Sequence, residues 1–120
     1  MSTLNELHQE HVAWLSQLDF FQDEIKFFQN KLFSVILEND HSLVTEEQVA
    51  EYRELFFLSL TRIDDTRHII LQHEMMIKRE GRERFDKTRD HGQVAEQIVH
   101  VENALMELRK RFKTFAAHHI

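Results

Sequence analysis

The chain is expected to be all-α: an antiparallel up-down-up bundle of three long helices with left-handed, coiled-coil-like packing. Three observations carry that expectation. There is no proline and there are only two glycines, Gly81 and Gly92, in 120 residues, too few for the corners of a sheet or turn-rich fold. Apolar residues recur at alternating spacings of three and four, the period that gathers side chains into one stripe on a helix. The hydrophobic share, 42%, is enough for a core, which argues against disorder despite 30% charged residues.

The first helix is expected over about residues 3–39. Its seam runs through Leu4, Leu7, His11, Trp14, Leu18, Phe21, Ile25, Phe28, Leu32 and Val35 without a slip, and His11 is its single polar member. The stretch from Asn39 to Val44 reads as a connection. Thr45 then has the chemistry of a helix N-cap, Gln48 completes a capping box, and Glu46 and Glu47 complement the helix dipole.

A second helix is expected over about residues 46–80. One row of its seam is strongly apolar: Val49, Phe56, Ile63, Ile70 and Ile77. The other row is small or polar, with Tyr52, Ser59, Thr66 and His73, while Leu55, Leu60, Ile69 and Met76 widen the apolar face. Gly81 suits the position after the last turn, and Lys78 and Arg79 suit the negative end of the dipole.

The third helix starts from a cap at Asp86 or at Asp90. Asp90 is preferred, giving a helix over about residues 91–117, because the seam Val94, Ile98, Val101, Leu105, Leu108, Phe112, Phe115 begins at once. Short connections make neighbouring helices antiparallel. Residues 1–120 are therefore expected to form one three-helix domain, a rod roughly 50 Å long at ~1.5 Å per residue.

Pairing the first two helices through their short connection sets Val35 opposite Val49, Phe28 opposite Phe56, Trp14 opposite Ile70 and His11 opposite His73. Gln97, Ile98 or His100 of the third helix is expected near the histidine level. Two facing histidines could share a metal, fix the register of the bundle, or lie half solvated near its end. A helical di-metal centre needs Glu-x-x-His motifs on two helices; here Glu38-x-x-His41 occurs once, at a helix end. No cofactor is expected and no metal is assigned, with His11 and His73 as the candidates.

Composition excludes several function classes. The absence of cysteine removes disulfides, thiol nucleophiles and thiolate metal sites, and it fits a cytoplasmic setting. No basic segment followed by an apolar run opens the chain, so no signal peptide is expected. No apolar run reaches the ~18 residues of a membrane span, so the protein is expected to be soluble. No glycine-rich phosphate loop or Gly-x-Ser-x-Gly elbow occurs, and an enzyme is not expected.

Net charge is −6 and unevenly placed. Residues 1–40 hold seven acids and two bases, whereas residues 78–120 hold seven acids and ten bases. An acidic helix pair beside a basic third helix accounts for this. Nucleic-acid or anionic-surface binding through Arg109, Lys110, Arg111 and Lys113 is the sharper alternative, although nucleic-acid binders usually show a clear positive excess.

Ten phenylalanines exceed what the seams use. Phe20 and Phe27 lie beyond the flank of helix 1, and Phe33, Phe57, Leu58, Leu71, Val99 and Met106 are also off-seam. Either a broad core covers them or they form a second buried surface with a homodimer mate or another protein. Phe20, Phe27, Phe57 and Leu58 are the interface candidates.

The segment Glu10-His11-Val12-Ala13-Trp14-Leu15, with Leu18, Phe21, Glu24-Ile25 and Phe28-Gln29-Asn30-Lys31-Leu32, resembles the first helix of short uncharacterised all-helical bacterial proteins of about 120 residues. The resemblance implies three helices over the whole chain and implies no activity, ligand or site. In architecture the chain is also similar to a spectrin repeat, with a tryptophan early in the first helix but none in the third. The function expected is therefore that of a non-enzymatic bundle acting through protein contacts or self-association. A histidine-layer metal site is the alternative.

Overall fold

In the computed structural model, residues 4–38, 45–80 and 89–118 are described. They form α1 (Leu4–Glu38), α2 (Glu46–Glu80) and α3 (Arg89–His118), and all three pack against one another. The principal extents are 62 × 20 × 18 Å, a rod somewhat longer than the helix-length argument gives. No helix among the described residues is long and apolar enough to cross a membrane.

The periodic seams become the core. Leu7, His11, Leu18, Phe21, Ile25, Phe28, Leu32 and Val35 of α1 are buried, as are all seven seam residues of α3. Trp14 is half-buried and packs against that core. On α2 the apolar row is buried at Phe56, Ile63 and Ile70. Two hydroxyls of its polar row are accommodated locally, whereas the Tyr52 hydroxyl donates to the Arg111 carbonyl of α3 at 3.3 Å. The Thr66 hydroxyl, buried, donates to the Arg62 carbonyl at 2.8 Å, and Ser59 donates to the Leu55 carbonyl at 2.8 Å. Both of these hydroxyls are thereby satisfied within their own helix.

The α2 cap forms as its residues require. The Thr45 Oγ1 accepts from the Gln48 amide at 3.1 Å, and the Thr45 amide donates to the Gln48 Oε1 at 3.1 Å. This reciprocal pair satisfies donors that a helix start otherwise leaves orphaned. Gly81 and Asp86 lie outside the described residues. α3 begins at Arg89, so Asp90 stands inside its first turn and is not its cap.

An aromatic layer fixes the register. Phe28, Phe56 and Phe112 contribute one ring from each helix, with centroids 5.1 Å apart for Phe28–Phe112, 5.2 Å for Phe56–Phe112 and 6.2 Å for Phe28–Phe56. Tyr52 and Phe115 extend it, their centroids 4.7 Å apart. Such spacings suit the offset and edge-on contacts that aromatic rings prefer. The Phe28–Phe56 contact is the one expected from pairing α1 and α2 through their short connection. α1 and α2 run antiparallel. α1 and α3 run parallel, as Gln17–Glu102 and Glu24–Arg109 contacts show at the same sequence offset.

Candidate functional sites

Two arrangements on this rod bear on function: a histidine cluster towards the end where α1 and α3 begin, and rows of apolar side chains on its outside.

The cluster begins with His11, which occupies a core position on α1 and is 0% exposed. Of the three readings of the histidine layer, half-solvation near the end of the bundle does not apply to His11. Its Nδ1 donates to Glu74 Oε1 at 2.8 Å, and His8, one helical turn before it, donates from Nδ1 to Glu74 Oε2 at 2.9 Å. An ionised carboxylate only accepts, so both imidazoles carry their proton on Nδ1 when neutral. Burial pushes the Glu74 carboxyl up, but the hydrogen bonds from His11 and His8 outweigh it and hold the group below its ordinary range.

α3 contributes His91 at this level. Its Nε2 donates to Glu10 Oε2 at 2.5 Å, and its ring lies 4.7 Å from Trp14 and 5.5 Å from His11, centroid to centroid. Of the third-helix residues expected at this level, Gln97 and Ile98 fall within about a turn of His11 by the α1–α3 offset, and Gln97 and His100 line a groove with Asp65, Thr66 and Ile69. The α3 level is set by the aromatic layer, and the segment between α2 and α3 gave no local rule for it.

His73 sits beside Glu74 in the same layer and is half-buried. The residue of α2 that hydrogen-bonds His11 is Glu74 rather than His73. His11 Nε2 and His91 Nδ1 are buried nitrogens with no hydrogen-bond partner among the described residues. Their opposite nitrogens are each held by a carboxylate, which is how metal-ligating histidines are commonly oriented. Among the described residues, however, no three His, Asp or Glu side chains converge as a set that could hold a metal ion.

The basic stretch of α3 is largely paired. Arg109 donates from both Nε and Nη2 to the Glu24 carboxylate, at 2.6 Å for the shortest contact. Arg111 pairs with Glu51, and its guanidinium lies 5.5 Å from the Tyr52 ring centroid. Lys110 and Lys113 are exposed and make no ion pair within the chain among the described residues. Half of the expected cationic patch is therefore neutralised by neighbouring helices.

The off-seam apolar residues stay outside. Phe20 is 62% exposed, Phe27 66%, Phe57 67% and Leu58 49%. The core does not spread to cover them, and Phe33, Leu71, Val99 and Met106 are exposed too. They do not form one patch. On α1, Gln17 and Glu24 face α3, whereas Gln22 faces α2 through Arg67. Helical spacing then puts Phe20 and Phe27 on the α3 side of α1. The same reasoning, through Arg109 and Glu102, puts Val99 and Met106 on the α1 side of α3. These four border the α1–α3 face. Phe57 instead shares a groove of about 400 Å³ with Phe33, Ile36 and Arg53 between α1 and α2, and Leu58 lies around α2 towards α3.

No protein-family model matches the chain, and no curated protein or solved structure matches it.

Proposed function

We propose that this is a non-enzymatic helical-bundle protein that acts through protein contacts, and that it self-associates as a homodimer. The observation behind this reading is the exposure of Phe20, Phe27, Phe57 and Leu58 on a bundle whose core is already complete. Isolated exposed apolar residues need no explanation, but repeated large ones along a rod mark interaction surfaces. A cytoplasmic setting and the bacterial origin implied by the resemblance of helix 1 belong to the same proposal.

Sedimentation equilibrium or light scattering at micromolar concentration tests it. Concentration-dependent dimer formation is expected, weakened by Phe20→Ser with Phe27→Ser. A strict monomer, with solubility unaltered by those substitutions, would overturn the reading.

The histidine cluster supports a second reading, metal binding through His11 with His73 or His91. What favours it is the carboxylate on one side of His11 and His91 and the unengaged buried nitrogen on the other. Metal analysis of untagged protein decides. Zinc, copper or iron near stoichiometry that falls with His11→Ala or His73→Ala supports it; substoichiometric metal unchanged by either substitution rules it out. Nucleic-acid binding through Arg109, Lys110, Arg111 and Lys113 is less favoured, because Glu24 and Glu51 already engage the two arginines.

A further inference from the structure

We infer that the homodimer forms through the α1–α3 face, with the two rods antiparallel about a dyad at the middle of the bundle. This rests on the self-association reading and specifies its surface and geometry.

The α1–α3 face is a suitable interface because the ion pair at its floor is already formed. The ion pair at its floor, Arg109–Glu24, is half-buried and bidentate, with side-chain exposures of 29% and 19%. Covering it removes little further water. The α1–α2 face differs: Arg67 there is bonded to Asp19 and Asp64, whose side chains are 69% and 68% exposed. Burying those acids under a partner carries a desolvation penalty that the half-buried Arg109–Glu24 pair has already met.

The apolar residues of the α1–α3 face are Phe20 and Phe27 from α1 with Val99 and Met106 from α3, the last two each 52% exposed. The near-constant offset between α1 and α3, seen in Gln17–Glu102, Glu24–Arg109 and Phe28–Phe112, sets Val99 near the level of Trp14 or Leu15 and Met106 near that of Phe21 or Gln22. The apolar set is thus centred on the middle turns of α1, which spans Leu4–Glu38. Glu96 lies beyond one end of the set and Lys113 beyond the other, at similar distances from its centre. A dyad perpendicular to the rod brings α3 against α3 of the second copy. Each Lys113 then comes level with the other copy's Glu96, on the exposed side of the same helix, while the Phe20 and Phe27 rows interleave.

Lys113 and Glu96 are exposed and make no ion pair within their own chain among the described residues, which leaves both available across the interface. A parallel pairing sets α1 against α3 and loses this complementarity. A footprint about 30 Å long and two helices wide buries roughly 1,200 Å² in total, at the lower end of stable specific interfaces. A dissociation constant in the micromolar range is expected.

The experiment is sedimentation equilibrium on the full chain, with circular dichroism confirming that each variant stays helical. Phe20→Ser with Phe27→Ser weakens dimerisation by at least about tenfold, whereas Phe57→Ser with Leu58→Ser changes it by less than about threefold. Lys113→Glu alone weakens it, and Glu96→Lys combined with Lys113→Glu restores it. If the protein is a strict monomer, the self-association reading itself fails. If a dimer forms but responds to Phe57 and Leu58 and not to Phe20 and Phe27, self-association stands and this face is wrong. A dimer sensitive to Phe20 and Phe27 that the charge exchange fails to restore overturns the antiparallel geometry.

Discussion

At the scale of single residues, burial separates side chains that look alike in sequence. Phe112 is 1% exposed and touches Phe28, Tyr52, Phe56 and Phe115. Phe112→Ala should cost about 3–5 kcal/mol in chemical denaturation, while Phe27→Ala should change monomer stability by less than about 1 kcal/mol. Glu74 is the residue whose titration matters most. Its carboxyl titrates lower in the folded chain than in the unfolded one, so its stabilising effect is present above its unfolded pKa and is lost as pH falls through the folded pKa. Glu74→Gln should lower stability near neutral pH by about 1–3 kcal/mol. The gap between variant and parent should close in acid below the usual glutamate range, as read from urea denaturation across pH. A gap that persists unchanged in acid would show that His8 and His11 do not hold Glu74 as described.

At the scale of elements, the parts legible in the sequence are those decided locally. Thr45 and Gln48 satisfy each other within one turn, so their identities and spacing were sufficient. Thr45→Ala should cost about 1 kcal/mol, measurable as a lower midpoint of thermal unfolding, with Gln48→Ala costing less. The seams were legible because burial is periodic along a helix, and the α1–α2 register followed from a short connection. His91 was not legible. It enters the cluster because the α3 register is fixed by Phe112 against Phe28 and Phe56, and no rule of spacing carries that register across residues 81–88. Glu74 was missed for a different reason: a glutamate flanking a seam usually faces water, and only the buried imidazole of His11 beside it gives it a partner. Asp90 had the chemistry of a cap, but the helix extends one residue before it.

At the scale of the whole molecule, shape and association are linked. A rod of 62 × 20 × 18 Å that pairs about a dyad at its midpoint grows wider without growing longer. Small-angle scattering of the dimer should give a maximum dimension close to that of the monomer and a cross-section roughly doubled along one direction. End-to-end association would instead nearly double the length, and that result would exclude lateral pairing. The rod also carries its own optical labels. Trp14, the single tryptophan, stacks on His91 at one end, and Tyr52, the single tyrosine, sits in the aromatic layer towards the other. Roughly 27 Å of helix separates their levels. Indole and phenol emission therefore report on different ends of one cooperative unit. Opening of the Trp14–His91 stack alters the indole environment, so tryptophan fluorescence follows the histidine end alone. Fraying there becomes distinguishable from melting of the whole bundle without the addition of any dye.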